Sequence, residues 1–253
     1  MKNYGLIGYP LGHSFSKKYF TEKFEKENIN ARYELYELAD IHNFVSLVSE
    51  LELSGLNITI PHKERIIPFL DELDETAAEI GAVNVIQFKR LSDKVVLKGY
   101  NTDVIGFINT IQPHLQPYHQ KALVLGTGGA AKAMAYGLRK LGVEVTFVSR
   151  KRQAMNGRQQ VTITYEELNE DIMSGNLLIV NASPVGTFPN VNECPAIPYH
   201  FITSRHLLFD AVYNPAETLF LKKGKEQGAF VINGEGMLIG QAEAAWKVWN
   251  SFL

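Results

Sequence analysis

Apolar residues along this chain alternate between two patterns. Short uninterrupted runs predict buried strands, and segments with apolar side chains every three or four positions predict amphipathic helices. Tyr4–Ile7, Tyr33–Leu38 and Leu56–Ile60 read as strands, the last stopped by Pro61. Lys18–Asn28 places Tyr19, Phe20 and Phe24 on one helical face, and Ile41–Leu53 turns Phe44, Val45, Leu47 and Val48 inward. Glu64–Ile80 reads as largely helical despite Pro68 and ends at Gly81. Val83–Phe88 and Val95–Gly99 are two further strands around a polar turn at Ser92 and Asp93. This alternation predicts an α/β domain with a mostly parallel sheet and covering helices.

Asp103–Ile111 predicts a linking helix, and "QPHLQPYHQ" at 112–120 a joint between domains. The pattern then gives strand Ala122–Leu125, a glycine turn, helix Ala131–Leu141 and strand Val143–Val148. After a polar segment come helix Tyr165–Met173, strands Leu177–Asn181 and His206–Ala211, and helix Glu217–Gln227. Strand Ala229–Ile232 and an amphipathic helix, Met237–Phe252, carrying Trp246 and Trp249, close the chain.

The glycine turn brings the first chemistry. Gly126, Gly128 and Ala131 give G-x-G-x-x-A between a strand and a helix, followed by a second strand. That order lays a dinucleotide pyrophosphate on a helix N-terminus. A glycine-rich turn in an α/β protein can also be only a turn. A site for NAD usually holds Asp or Glu at the end of the second strand. Here stand Ser149, Arg150, Lys151 and Arg152 with no acid. Guanidinium groups grip a 2′-phosphate through paired charge-assisted bonds, so the position favours NADP, although three cations also suit a solvated loop.

Composition narrows the class. A chain of 253 residues with 45% hydrophobic residues can bury one large core or two ordinary ones. A net charge of -2 gives no basic field for nucleic acid. Cys194 alone excludes an intrachain disulfide and a cysteine-built metal site, and fits a reducing, cytoplasmic compartment. With no H-E-x-x-H or acidic ligand cluster, no metal is expected. No apolar run approaches membrane-spanning length. Gly5, Gly8, Pro10 and Gly12 interrupt any signal-peptide core.

Two strand ends carry ionisable residues: Lys63 in "NITIPHK" and Asp103 in "GYNTD". A lysine is most often a solvated surface residue, and an Asp a helix cap. Open α/β sheets, however, bind ligands at the carboxyl ends of their strands. A lysine beside an aspartate there can hold a substrate hydroxyl and relay a proton to a ketone oxygen without a metal. Ser14 and Ser16, in the turn after the first strand, are turn or cap residues or a grip for a carboxylate; His13 reads as structural.

The motifs "GYPLGHSFS" at 8–16, "GLNITIPHK" at 55–63, "GAVNV" at 81–85, "GYNTDVIGF" at 99–107, "GTGGAAKA" at 126–133, "NASPVGT" at 181–187, "DAVYNPAET" at 210–218 and "NGEGMLIGQAEAAW" at 233–246 together resemble the shikimate dehydrogenase family. The resemblance implies reversible NADPH-dependent reduction of 3-dehydroshikimate to shikimate, on the route to aromatic amino acids. It implies two α/β domains: 1–103 plus 235–253 for substrate and catalysis, completed by the C-terminal helix, and 104–234 as a Rossmann-type NADP-binding domain. Carried over by position, Lys63 and Asp103 are the catalytic pair. Ser14, Ser16, Thr59, Asn84, Tyr213 and Gln241, with that pair, bind substrate. Gly126, Thr127, Gly128, Gly129, Ala130, Ser149, Arg150, Lys151, Ala211 and Gly234, with Glu75, contact the nucleotide.

The chain departs from the family pattern in three places. Lys17, Lys18, Tyr19 and Phe20 replace a Pro and a His-Asn pair. Ser149-Arg150-Lys151 replaces Asn-Arg-Thr, and Thr187 replaces a Met. Alternatives are a quinate/shikimate dehydrogenase using either NAD or NADP, and a noncatalytic NADP-binding sensor. The implied partner is a small-molecule substrate, with neither nucleic acid nor membrane, and the implied state a monomer or homodimer.

Overall fold

The computed structural model describes residues 1–12, 14–92, 94–152 and 162–251, so His13, Asp93 and Phe252 lie outside the described residues. The chain divides into two compact units, Met1–Thr102 with Ala242–Leu253, and Asp103–Gln241. The segment 112–120 lies inside the second unit.

The first unit runs β1 (Lys2–Gly8), α1 (Phe15–Lys26), β2 (Ala31–Glu37), α2 (Phe44–Glu50), β3 (Leu53–Ile58), β4 (Glu72–Leu73), α3 (Glu75–Ile80), β5 (Val85–Arg90) and β6 (Val95–Tyr100). Its sheet has the order β2-β1-β3-β5-β6-β4. β1 pairs in parallel with β2 and β3, and β4 with β6, while β5 runs antiparallel to β3 and β6. Successive strand residues face opposite sides of the sheet. Ile7, Phe44, Leu56, Ile58 and Val83 accordingly share one core. Tyr4, Leu6, Phe20, Phe24, Tyr33 and Trp249 share another. Gly55 is required there, since a Cβ would lie 2.4 Å from the Trp249 ring.

Glu64–Ile80 is not one helix. A 3₁₀ turn at Ile67–Phe69, β4 and the short α3 replace it. Pro68 lacks the N–H that a helix interior needs. Two of the segment's acids serve other elements. Asp71 accepts from Leu97 N at 2.7 Å, and Asp74 caps α3 by accepting from Ala77 N at 2.9 Å. Gly81 closes α3 at φ 71°, a left-handed conformation that favours glycine. In Ile41–Leu53 a 3₁₀ turn precedes α2, and Val45 is exposed rather than inward because Phe44 takes the buried place.

The second unit continues with α4 (Asp103–Ile111), β7 (Lys121–Leu125), α5 (Gly129–Lys140), β8 (Glu144–Ser149), β9 (Thr162–Thr164), α6 (Glu170–Gly175), β10 (Leu178–Asn181), β11 (Leu207–Asp210), α7 (Leu219–Glu226) and β12 (Phe230–Ile232). The final helix, α8 (Glu235–Asn250), begins here. The six strands lie in the order β12-β11-β10-β7-β8-β9. Every pair is parallel. Counted within the unit this is 3-2-1-4-5-6, the doubly wound order of dinucleotide-binding sheets. Ala122 and Val124 enter one core with Phe107, Met134 and Phe209, and Leu123 and Leu125 enter the other. A strand covered on both faces reads as a continuous apolar run. Tyr165–Met173 breaks into a 3₁₀ turn and α6 because Asn169 accepts from Ile172 N at 3.0 Å and starts a new helix.

Two buried histidines brace the opposite end of this sheet. His119 Nδ1 accepts from Gln116 N and its Nε2 donates to Arg205 O, each at 3.0 Å. His206 Nδ1 accepts from Thr203 N at 3.0 Å and its Nε2 donates to Met173 O at 3.1 Å. Burial lowers both pKa values, because a second ring proton would be desolvated and would face an N–H donor. A lowered histidine pKa contributes stability above the unfolded value of 6.5 that is lost as pH falls below it. Thermal unfolding midpoints should therefore fall more steeply between about pH 7.5 and 5.5 in the wild type than in His206→Asn. The comparison with the variant is needed because Asp210 titrates in the same window with opposite sign.

Candidate nucleotide and substrate site

In the second unit, parallel strands bring every connecting loop after a carboxyl end to one side. The glycine turn follows β7, Ser149–Lys151 follow β8, Ala211 and Tyr213 follow β11, and Gly234 follows β12. The strand order reverses between β7 and β10, the place where a crevice opens in such sheets. Gly126 adopts φ 115° and donates to Val148 O at 2.9 Å, a turn closed to L side chains. Gly128 is the N-cap of α5, and a Cβ placed there meets nothing within 4 Å. Thr127 and Gly129 flank that open backbone. Ala130 is half-buried, and Ala131, fully buried, seats the helix on the sheet. The free N–H groups of a twelve-residue helix thus front open space, a donor set suited to a diphosphate.

After β8, Ser149 is buried and its hydroxyl donates to Lys151 O, which shapes the turn. Arg152 is held by Glu167, whose carboxyl falls to about 2 under that guanidinium and the Thr164 N–H. Arg150 and Lys151 are exposed and, among the described residues, form no ion pair. Of the three cations, Arg152 is committed and the other two are available.

Beneath the loops after β10 and β11 lies a polar cluster that the sequence pattern did not single out. Asp210, 0% exposed, accepts from Asn181 Nδ2 at 2.9 Å, Val212 N at 3.0 Å and Thr218 Oγ1 at 2.6 Å. Burial pushes its carboxyl up to about 6, against the pull of those three donors. Asn181 Oδ1 in turn accepts from Ser183 Oγ at 2.6 Å. The usable signal was a polar residue ending each of two apolar runs, "LIVN" and "LLFD".

In the first unit, Ser14 caps α1 by accepting from Lys17 N at 3.3 Å, which leaves its hydroxyl proton to donate outward. Ser16 is buried and hydrogen-bonds the Tyr33 hydroxyl. Tyr33 donates to Asn57 Oδ1 at 2.7 Å. Thr59 follows β3 and donates its N–H to Ile7 O, and Gly8 is required beside it, since a Cβ there would lie 2.4 Å from Thr59 Cγ2. Lys63 is half-buried, its carbonyl accepting from Val83 N at 2.8 Å. Asn84 is locked against Thr102, accepting from its N at 2.7 Å and donating to its Oγ1 at 3.0 Å. Because β5 runs antiparallel to β3, Asn84 at its start lies at the same end of the sheet as Thr59. Glu75 is exposed in the first turn of α3, the one nucleotide candidate in this unit.

Asp103 opens α4 and is buried. One turn on, Gly106 meets α8 backbone to backbone: a Cβ would lie 2.3 Å from Met237 O and 2.7 Å from Gln241 N. The close crossing brings buried Gln241, which donates to Leu238 O at 3.0 Å, to within a turn of Asp103. Among the described residues no His, Cys, Asp or Glu group is arranged to hold a metal, and no helix is long and apolar enough to cross a membrane.

A doubly wound parallel sheet with an open glycine turn at its switch point and cations after the next strand defines a dinucleotide-binding α/β protein. Residues 6–86 match the shikimate dehydrogenase substrate binding domain. The chain is 34% identical to a shikimate dehydrogenase (NADP(+)) of Methanosphaera stadtmanae, covering 97% of this chain and 90% of that one. The crystal structure of shikimate dehydrogenase from Aquifex aeolicus superposes with a TM-score of 0.86 at 33% identity, over 99% of this chain and 92% of that one. A shikimate dehydrogenase in complex with NADP+ gives a TM-score of 0.86 at 31% identity, over 99% and 90%. The chain belongs to the shikimate dehydrogenase family.

Proposed function

We infer that this protein is an NADP-dependent shikimate dehydrogenase, interconverting 3-dehydroshikimate and shikimate in the route to aromatic amino acids. The structural observation that carries the reading is the open turn at Gly126–Gly129 followed, one strand later, by an exposed Arg150 that forms no ion pair among the described residues. The helix N-terminus of α5 suits the pyrophosphate, and Arg150 with Lys151 suits the 2′-phosphate. NADPH, when bound, supplies the hydride that reduces the carbonyl carbon.

The chain's own residues do the rest. Lys63 gives a proton to the carbonyl oxygen as it becomes a hydroxyl, and takes that proton back in the reverse direction. Asp103 accepts a hydrogen bond from a ring hydroxyl and orients it. A polyhydroxylated ring carboxylate needs several short polar partners, a role assigned to Ser14, Ser16, Thr59, Asn84, Tyr213 and Gln241. The fixed Asn84 amide and the capped Ser14 hydroxyl are pre-positioned for it, so little rotamer freedom is lost on binding. Glu75, Ala211 and Gly234 complete the proposed nucleotide contacts.

The test is a spectrophotometric assay of shikimate and quinate oxidation with NADP+ and with NAD+. Shikimate with NADP+ should be the preferred pair, and absence of shikimate-dependent reduction by pure protein would return the noncatalytic sensor. In the same assay Arg150→Ala should lower kcat/KM for NADP+ by about 30-fold and leave that for NAD+ nearly unchanged. Arg152→Ala should shift the ratio far less, because Glu167 already holds that side chain. Equal use of NAD+ by the wild type would overturn the role of Arg150.

A further inference from the structure

We propose that Asp210 is a positioning residue for the nicotinamide end of the nucleotide, acting through Asn181, Val212 and Thr218. The proposal rests on the dinucleotide reading above. In a doubly wound sheet the two mononucleotide halves lie on either side of the switch point. Here β7, α5 and β8 carry the glycine turn and Arg150, which leaves the loops after β10, β11 and β12 to the nicotinamide half.

Asp210 fixes all three of those loops. It lies opposite Asn181 in the parallel register of β10 and β11. Asn181 must turn its NH2 toward the Asp210 carboxylate, so its oxygen faces the Ser183 N–H and hydroxyl, at 3.1 and 2.6 Å. The loop after β10 is thereby set. Val212 N donates to Asp210, and the Val212 carbonyl accepts from Gly234 N at 3.2 Å, which ties the loops after β11 and β12 together. Gly234 sits so close to the Ala211 carbonyl that a Cβ would lie 2.2 Å from its oxygen. Thr218 donates to Asp210 Oδ2 and accepts from Leu221 N at 3.3 Å, fixing the start of α7.

Holding two strands together does not need a charge, since buried ionic groups can often be replaced by apolar ones without loss of stability. What the carboxylate provides is three convergent acceptances from three different segments. An apolar side chain would leave those donors unpaired and the loop backbones free to settle elsewhere.

The test compares two ligands by isothermal titration calorimetry, which needs no turnover. One is NADP+; the other is 2′-phospho-ADP-ribose, which has the pyrophosphate and 2′-phosphate but no nicotinamide. Asp210→Ala should bind the fragment as the wild type does and NADP+ about tenfold more weakly. Asp210→Asn keeps an oxygen for Asn181 and Val212 and should recover to within about threefold of the wild type. A folded Asp210→Ala that binds both ligands normally, or loses both equally, overturns the proposal. If Asp210→Ala does not fold, Thr218→Val removes one donor and leaves the carboxylate. Selective weakening of NADP+ in that variant supports the proposal, and unchanged affinities overturn it. Inactivity of the wild type toward shikimate would sink the functional reading alone, because the binding comparison does not depend on it.

Discussion

Lys63→Ala should lower the turnover number of shikimate oxidation by about three orders of magnitude and leave NADP+ affinity within about twofold. Proton transfer by a positioned side chain is the chemistry assigned to Lys63. Truncation should not disturb the fold. The backbone at this point is held by its neighbours: Lys63 O accepts from Val83 N, and His62 N donates to Thr59 O at 2.9 Å. The fully buried His62 ring donates from Nε2 to Leu38 O at 2.6 Å. The residues assigned to the pyrophosphate and 2′-phosphate lie on other segments, after β7 and β8, so nucleotide affinity is the internal control. Lys63→Met, which keeps most of the stem and removes the charge, should lose as much turnover as the alanine variant. Near-normal turnover in either one removes Lys63 from the mechanism.

How far such roles were legible in the sequence depends on what each residue does to the local pattern. The second unit reads almost directly. Its strands are covered on both faces, so Ala122–Leu125 and Leu177–Asn181 appear as unbroken apolar runs, within a residue of β7 and β10. Gly126 stands out because its left-handed φ favours glycine, and Gly128 because it repeats the glycine at the cap of α5, where the backbone faces open space. The first sheet was harder. Strand pairing direction leaves no mark on a short apolar run, so the antiparallel β3-β5-β6 pairings were not foreseen. Glu64–Ile80 reads as one helix, while its Asp74 caps a short one and its Asp71 accepts from a strand. Thr59, Asn84, Tyr213 and Gln241 came only from the family motifs, because a lone polar residue after a strand or on a helix carries no periodic signal. Asp210 lies inside one of those motifs, but a single acid ending an apolar run carries no signal of its own. Its part emerges only when Asn181 on the neighbouring strand joins the local donors Val212 and Thr218 on one carboxylate.

Gly106→Ala should destabilise the protein by roughly 2 kcal/mol, against the direction that helix propensity alone would give. In an exposed helix interior, glycine to alanine gains up to about 1 kcal/mol through lost unfolded-state entropy. Gly106 lies inside α4, but its Cβ would sit 2.3 Å from Met237 O and 2.7 Å from Gln241 N. Both are backbone atoms of α8 and cannot rotate aside. Gly240, across the crossing, is equally flush, a Cβ there lying 2.9 Å from Gly106 Cα. The helices must separate, and overpacking of this kind costs about 1–3 kcal/mol or more. The clash therefore outweighs the propensity gain. Gly175→Ala is the matched control, since it too is helical but meets nothing within 4 Å, and it should be neutral or slightly stabilising. Because Asp103 opens α4 and Gln241 lies at the crossing, Gly106→Ala should also raise KM for shikimate in the fraction that remains folded. Denaturant midpoints of the two variants decide the matter: if Gly106→Ala unfolds no earlier than Gly175→Ala, the two backbones do not meet as described, and the placement of Gln241 beside Asp103 fails with it.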